Sequence, residues 1–338
     1  MANYSGREFK VIMGITDIDG TNGDIGDPQN DERFESNSNI DFRVVPPVSD
    51  IDFTAGMQRS EIVRAGRRTL AAEDIIQHNG SGSYTWDFSY VADNEMACQN
   101  LLNLIYPGDG SVTGDLAIPA APTVLSYAHG AATGNNRTAV IIISNPEADE
   151  DRIMYSSILQ NLTISMDMGT DAGIAQLSGQ FMSGYKPLIE TNTVSAVTTN
   201  SDWQYGLFDC TTITIGGSAV TCKSFSLTID NPAQRVGFQG SSGECDGYVR
   251  AGSLSVTGTM SVKLDSTTLD VLTAIYQANA VTPITCGDGG TNISFSLTKC
   301  NISGFSPDLA DEGAFVEITF TATSGPDASA DLATIVMS

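Results

Sequence analysis

The sequence predicts a mainly β protein made of two copies of one module, each a group of strands with a single flanking helix. Three observations predict it. Apolar and polar residues alternate at 84–90 and again at 254–264, the period of a strand with one face buried. An apolar cluster at helical spacing follows each of these strands, and a similar order of further strands follows each cluster. The chain is 41% aliphatic and aromatic but only 17% charged, and it is rich in Gly, Ser and Thr, so its polar surface is hydroxyl and amide more than charge.

In the first copy, Tyr84, Trp86, Phe88 and Tyr90 alternate with Thr85, Asp87 and Ser89. In the second, Leu254, Val256, Met260, Val262 and Leu264 alternate with Ser255, Thr257, Ser261 and Lys263. Helices are expected next. Cys98, Leu101, Leu102 and Ile105 stand at i, i+3, i+4 and i+7, and the counterpart "TTLDVLTAIY" offers Leu269, Leu272 and Tyr276 after Ser266, an expected N-cap. These six apolar residues, Leu101, Leu102, Ile105, Leu269, Leu272 and Tyr276, are the candidates for packing the helices onto the sheets.

The next strand, "RTAVIIIS" at 137–144, is matched with "TNISFSLT" at 291–298, and "NLTIS" at 161–165 with "NISGF" at 301–305. The last match is the cleanest. "IAQLSGQFMSG" at 174–184 and "FVEITFTATSG" at 315–325 have equal length, equal parity and the same ending. The tetrapeptide "VRAG" also recurs, at 63–66 and 249–252, but at different distances from the following strand, so it carries no weight. The ordered series makes internal duplication the reading.

A chain of 338 residues suits two domains of about 150 residues each. The expected division is an N-terminal arm and acidic loop at 1–49, a first domain at 50–184, a connection at 185–204 and a second domain at 205–338. The connection is poor in apolar periodicity and rich in Thr and Asn. Three long stretches, 17–41, 107–136 and 229–249, read as irregular and suit contacts with partner subunits.

The formal net charge is −24, from 40 acidic and 16 basic residues. Nucleic-acid affinity comes largely from Lys and Arg displacing counterions, so this chain is expected to repel DNA or RNA. Contact without adhesion remains open to it. The N-terminus lacks the basic start and apolar core of a signal peptide, and the longest apolar run, "AVIII" at 139–143, falls far short of the roughly 20 residues that cross a bilayer. A soluble protein made in a cytoplasm, with no membrane partner, is the expectation.

In that compartment Cys98, Cys210, Cys222, Cys245, Cys286 and Cys300 read as free thiols serving as small apolar residues. The best candidate for a disulfide is Cys210 with Cys222, because "CTTITIGGSAVTC" reads as a hairpin turning at Gly216-Gly217. Spacing alone leaves the pairing open.

No motif carries chemistry. "DIDGTNGDIGD" at 17–27 fails the EF-hand pattern, with Asn22 where Gly belongs and Pro28 where Glu belongs. His78 and His129 stand alone among Gly, Asn and Ala and read as surface-loop residues. "SLTK" at 296–299 belongs to an alternating strand, which sends Ser296 and Lys299 to opposite faces. "GDGSVTG" at 108–114 is no phosphate loop. No enzyme, no cofactor and no metal is expected.

The segments "KSFSLTIDNPAQRVGF" at 223–238, "GSLSVTGTMSVKL" with its helix, and "ISFSLTKCNISGFSPDLADEGAFVEITFTA" together resemble phage tail tube proteins of the long form, with two tandem tube domains. The resemblance spans about 50–325. It implies a small β-sandwich or split barrel with a flanking helix, repeated twice, closing with other subunits into an oligomeric β-barrel ring. It also implies its partners. Copies of the chain would stack as rings around a tape-measure protein, capped by tail terminator and distal tail proteins, and genomic DNA would pass without specific binding. Such a virion protein would be assembled in the host cytoplasm.

Geometry sets the stoichiometry. Strands about 4.8 Å apart and tilted about 40° give a closed barrel of about 24 strands a bore near 38 Å, against only about 14 Å for twelve. A duplex roughly 20 Å wide passes only the larger. If each domain gives about four strands, six domains close the ring, and two per chain make a pseudo-hexameric trimer. Gln176, Ser178, Gln180, Glu317, Thr319 and Thr321 are the candidate lumen-facing residues, with the strands at 84–90 and 254–264 as the alternative lining. The competing class is a β-rich adhesion protein binding carbohydrate or a receptor, which Trp86 and Trp203 permit.

Overall fold

The computed structural model describes residues 10–15, 40–42, 57–61, 75–79, 84–93, 95–106, 115–118, 126–128, 138–145, 150–170, 172–185, 187–190, 204–236, 247–308, 314–323 and 331–337. The N-terminal half runs β1 (Lys10–Ile15), β2 (Ile40–Phe42), β3 (Met57–Glu61), β4 (Ile75–Asn79), β5 (Tyr84–Val91) and α1 (Glu95–Ile105). It continues through β6 (Asp115–Ile118), β7 (Ser126–Ala128), β8 (Ala139–Asn145), β9 (Glu150–Asp167), β10 (Gln176–Ser183) and β11 (Leu188–Glu190). The C-terminal half begins with β12 (Thr212–Ile215), β13 (Ser218–Ala219), β14 (Cys222–Asp230), β15 (Ala233–Val236), β16 (Gly247–Arg250) and β17 (Ser255–Lys263). It closes with α2 (Ser266–Ala278), β18 (Thr282–Gly287), β19 (Ile293–Asp308), β20 (Phe315–Ala322) and β21 (Ala333–Met337).

The protein is mainly β, as the alternation requires. Sixteen strands form one curled antiparallel sheet, a half-barrel in outline, whose spine runs β5-β10-β9-β14-β17-β20-β19 and carries both halves. The seam between the halves is β9 against β14, paired from Ser224↔Asp167 to Asp230↔Asn161. One face of the spine is apolar. Leu162, Ile164, Leu177 and Phe181 of the N-terminal half and Phe225, Leu227, Val256 and Phe320 of the C-terminal half belong to a single buried core that also holds α1. Core and sheet therefore cross the expected domain division without a break. The connection expected at 185–204 begins with β11, which pairs β9, and its residues 191–203 lie outside the described residues.

The repeat is present as two sets of paired strands. In the N-terminal half β10 lies between β5 and β9, and in the C-terminal half β20 lies between β17 and β19. The register agrees as well. Aligning 82–106 with 252–276 sends Val91 to Ser261, aligning 174–184 with 315–325 sends Gln176 to Glu317, and Gln176 pairs Val91 just as Glu317 pairs Ser261. Two alignments taken from separate segments thus converge on one pairing.

One match is corrected. The strand at 137–144 is β8, the first arm of a hairpin with β9, and its counterpart is β18, the first arm of the hairpin with β19. "TNISFSLT" lies instead in β19, the counterpart of β9. The signal of β18 was hidden because it is short and contains Pro283, where its ladder with β19 shifts register between Thr282 and Ile284.

Other expectations shift too. The stretches expected to be irregular hold short strands: β6 and β7 within 107–136, β15 within 229–249, and most of β16 at its end. His78 lies on β4 rather than in a loop, and His129 lies outside the described residues, as does the acidic loop 17–27. The N-cap of α2 is Asp265, whose carboxylate accepts from the Thr268 N–H at 2.9 Å, so Ser266 is the first helical residue. The hairpin β12-β13 turns at Gly216 and Gly217, with φ of 62° and 81°, the left-handed pair a two-residue turn needs. Cys98, Cys210, Cys222, Cys286 and Cys300 are free thiols.

Candidate functional site

The second face of the spine is polar from one end to the other. Residues paired directly across antiparallel strands lie on one face, so the registers define rows. One row runs Ser89, Ser178, Thr163, Thr228, Thr257, Thr321 and Asn301 across seven strands. The next runs Val91, Gln176, Ser165, Ser226, Thr259, Thr319 and Gly304. Hydroxyls dominate both. The sequence dictates this locally, because each spine strand alternates and its other parity fills the apolar core.

The flanking rows bring the charge. Asp87, Gln180, Asn161 and Asp230 share one row, and Asp167, Ser224, Ser261 and Glu317 share another. Hydrogen bonds between strands hold the face in order. Gln180 Nε2 donates to Asp87 Oδ1 at 2.7 Å, and the Thr163 and Thr228 hydroxyls meet at 2.9 Å across the seam between the halves.

All six candidate lumen residues thus stand on one face: Gln176, Ser178 and Gln180 on β10, and Glu317, Thr319 and Thr321 on β20, with β9, β14 and β17 between. The strands of the alternative lining, 84–90 and 254–264, carry their polar residues on the same face. β5 is the direct neighbour of β10, and β17 of β20, so the two linings are one surface. Sequence reasoning missed the middle of it, Asn161, Thr163, Ser165 and Asp167 on β9 and Ser224, Ser226, Thr228 and Asp230 on β14. Their signal was the alternation in "NLTISMD" and "KSFSLTID".

The helix candidates divide. Leu101, Leu102 and Ile105 are buried on α1, and Leu272 is buried on α2. Leu269 and Tyr276, also expected to pack, face solvent in the single chain, 50% and 75% exposed.

A second polar cluster locks the halves together, and "VRAG" at 249–252 supplies its centre. Arg250 is buried and donates to the carbonyls of Leu159 at 2.6 Å, Leu104 at 3.3 Å and Asn231. Asn231 Nδ2 donates to the Ile105 carbonyl at 2.8 Å. Two side chains of the C-terminal half therefore satisfy the last carbonyls of α1, where a cation also meets the negative end of the helix dipole. Tyr248 adds a third contact, its hydroxyl donating to the Ser156 carbonyl at 2.8 Å and accepting from the Gly184 N–H at 2.7 Å. The other "VRAG", at 63–66, lies outside the described residues.

Three of the thiols are held away from reactivity. Burial pushes Cys222 and Cys300 up to about 12 and raises Cys98 further, so these groups stay protonated at neutral pH. Among the described residues, no group of three or more His, Cys, Asp or Glu is placed to hold a metal ion. The chemistry on offer is that of a surface, a broad hydroxyl and carboxylate face on a sheet stiffened by continuous pairing.

Comparison with known proteins gives the family. No curated protein matches the chain. A family model described as phage tail tube protein matches residues 38–328, most of both halves, and the chain belongs to that family.

Proposed function

We propose that this structural protein forms rings of three chains, pseudo-hexameric because each chain supplies two equivalent halves, and that stacked rings make the tail tube through which DNA is ejected. The observation that carries this reading is the single polar face running unbroken across both halves of the chain. The reading requires the curl to turn this polar face inward, since the apolar face is already occupied by the chain's own core. Four spine strands come from the C-terminal half, β14, β17, β20 and β19, and three described ones from the N-terminal half, β5, β10 and β9. About eight strands per chain give about 24 in three chains, enough for a bore near 38 Å.

The lining then consists of Gln176, Ser178, Gln180, Glu317, Thr319 and Thr321 together with the intervening rows of β9, β14 and β17. The carboxylates repel phosphate and the neutral hydroxyls offer no cation to hold it, so the genome slides without specific binding. Before ejection the bore holds the tape-measure protein, and the tube ends meet tail terminator and distal tail proteins. Assembly takes place in the host cytoplasm.

Native mass spectrometry of the purified protein tests the ring. A dominant species at three times 35.6 kDa supports it. A ring of six full chains refutes the stoichiometry, and a persistent monomer at high concentration refutes the tube.

A further inference from the structure

The two halves are alike in fold but unlike in cover. Matched through the registers, several positions buried at the end of α1 and along β9 have open counterparts in the C-terminal half. Tyr106 is 5% exposed and its counterpart Tyr276 is 75% exposed. Ile105 is fully buried, and Ile275 only partly. On the strands, Ile164 and Leu162 are buried, but Phe305 is 41% exposed and Ile302 only partly covered. Tyr276 and Phe305 form a T-shaped pair at 6.2 Å, with Leu272 and Ile275 lining the groove between α2 and β19.

The N-terminal positions are covered partly by α1 packing on β9 of the same half and partly by the C-terminal half: β14 lies along β9, Leu227 stands opposite Ile164, and Asn231 and Arg250 close the end of α1. The same edge of β19 has no such strand. Cys300 pairs Thr282 of β18 on one side and Ala322 of β20 on the other, so β18 and β20 flank β19 on opposite edges. Beyond Cys300 the β18 edge, residues 301–308, has no partner among the described residues. The equivalent stretch of β9 is the one β14 occupies. In the C-terminal half the counterpart of β5, β17, pairs β20 on one edge and β14 on the other, and β14 is the strand that lies along β9.

A strand edge with no partner among the described residues, lying beside exposed aromatic side chains, marks a docking surface. We propose that the groove between α2 and the 301–308 edge of β19 receives the N-terminal half of a second copy of this chain. The contact between copies repeats the seam that the C-terminal half makes on α1 and β9 within one copy. This rests on the ring reading and adds to it which surfaces meet: Tyr276, Phe305, Ile302 and Ile275 on one copy, the β5 side of the sheet on the next.

The test uses the full chain. Tyr276→Asp and Phe305→Asp change side chains that are exposed in the free protein, and circular dichroism and melting confirm that each variant folds. Phe208, 52% exposed and outside the groove, serves as the apolar control through Phe208→Asp. The expected result is loss of rings for Tyr276→Asp and Phe305→Asp, with rings retained for Phe208→Asp. Hydrogen exchange of the unmodified protein gives a second reading: amides within 301–308 slow on assembly. Rings that form equally well in both groove variants, or 301–308 amides that exchange as fast in the ring as in the free chain, overturn this contact and leave the tube standing. An unmodified chain that never assembles overturns both.

Discussion

At the scale of single residues, the two halves solve one packing problem in opposite ways. Phe88 of β5 lies over Gly179 of β10, and in the C-terminal half the positions are reversed, with Gly258 on β17 and Phe320 on β20. Each cross-strand pair holds one aromatic ring and one glycine, because a Cβ on Gly258 would come within 2.4 Å of the Phe320 ring and 2.5 Å of the Ser226 carbonyl. Gly258→Ala is therefore expected to destabilise the chain by about 1–3 kcal/mol in urea unfolding. Phe320→Ala costs about 3–5 kcal/mol by leaving a cavity. The double variant should cost less than the sum, since the ring that clashes is gone. Additive losses would show that the ring is not what excludes the Cβ. A second residue-scale expectation concerns Asp265. Its pKa is lowered from 3.8, chiefly by the Thr268 N–H it caps, so the stabilisation is present above the unfolded value and is lost as pH falls through the folded one. Melting temperatures should show Asp265→Ala less stable than the unmodified chain at pH 7, with the gap closing as the pH falls below 3.8.

At the scale of elements, α1 and α2 show how the same local sequence logic gives different burial. Both were readable from apolar spacing, as were β5, β10, β17 and β20, whose strict alternation comes from packing one face on a core. The missed strands are short, and several of them pair with partners far away in the chain. β15 and β16 are short, and their ladder joins β7 of the other half, so no local period marks them. The polar face was legible on two strands, but its continuity depends on β9 and β14 meeting across about 60 residues of sequence, and no period in the chain encodes that. Arg250 was illegible for the same reason, since its acceptors belong to Leu104, Leu159 and Asn231. Its replacement by Met leaves those carbonyls buried without that donor, and each such loss costs about 1–3 kcal/mol. Chemical denaturation of Arg250→Met should therefore show a loss of at least about 2 kcal/mol. Arg250→Lys should recover little of it, because one ammonium cannot span the positions that a planar guanidinium fork reaches. Full recovery by Lys would mean that charge alone, not the fork, holds the seam.

At the scale of the whole molecule, the question is whether the continuous polar face meets the genome. The net charge of −24 makes the chain repel phosphate wherever the two come close, so the unmodified tube is expected to hold no DNA. That expectation does not identify the lining, because an acidic outer surface gives the same result. Adding cations to the face separates the cases. Thr163→Lys, Thr228→Lys and Glu317→Lys each put an ammonium on the polar side of a different spine strand, where a long side chain meets solvent and the core is untouched. If this face lines the bore, tubes carrying the three substitutions should retain DNA that has entered them at low salt and release it as salt rises, since every phosphate that a new ammonium neutralises steepens the salt dependence by about one counterion. The same substitutions should slow DNA ejection from particles assembled with the variant chain. Ring mass and melting of the variant must match the unmodified protein for the comparison to count. Variant tubes that bind DNA only along their outer wall by electron microscopy, or that eject at the unmodified rate, would place the polar face elsewhere and return the lining of the bore to another surface of the chain.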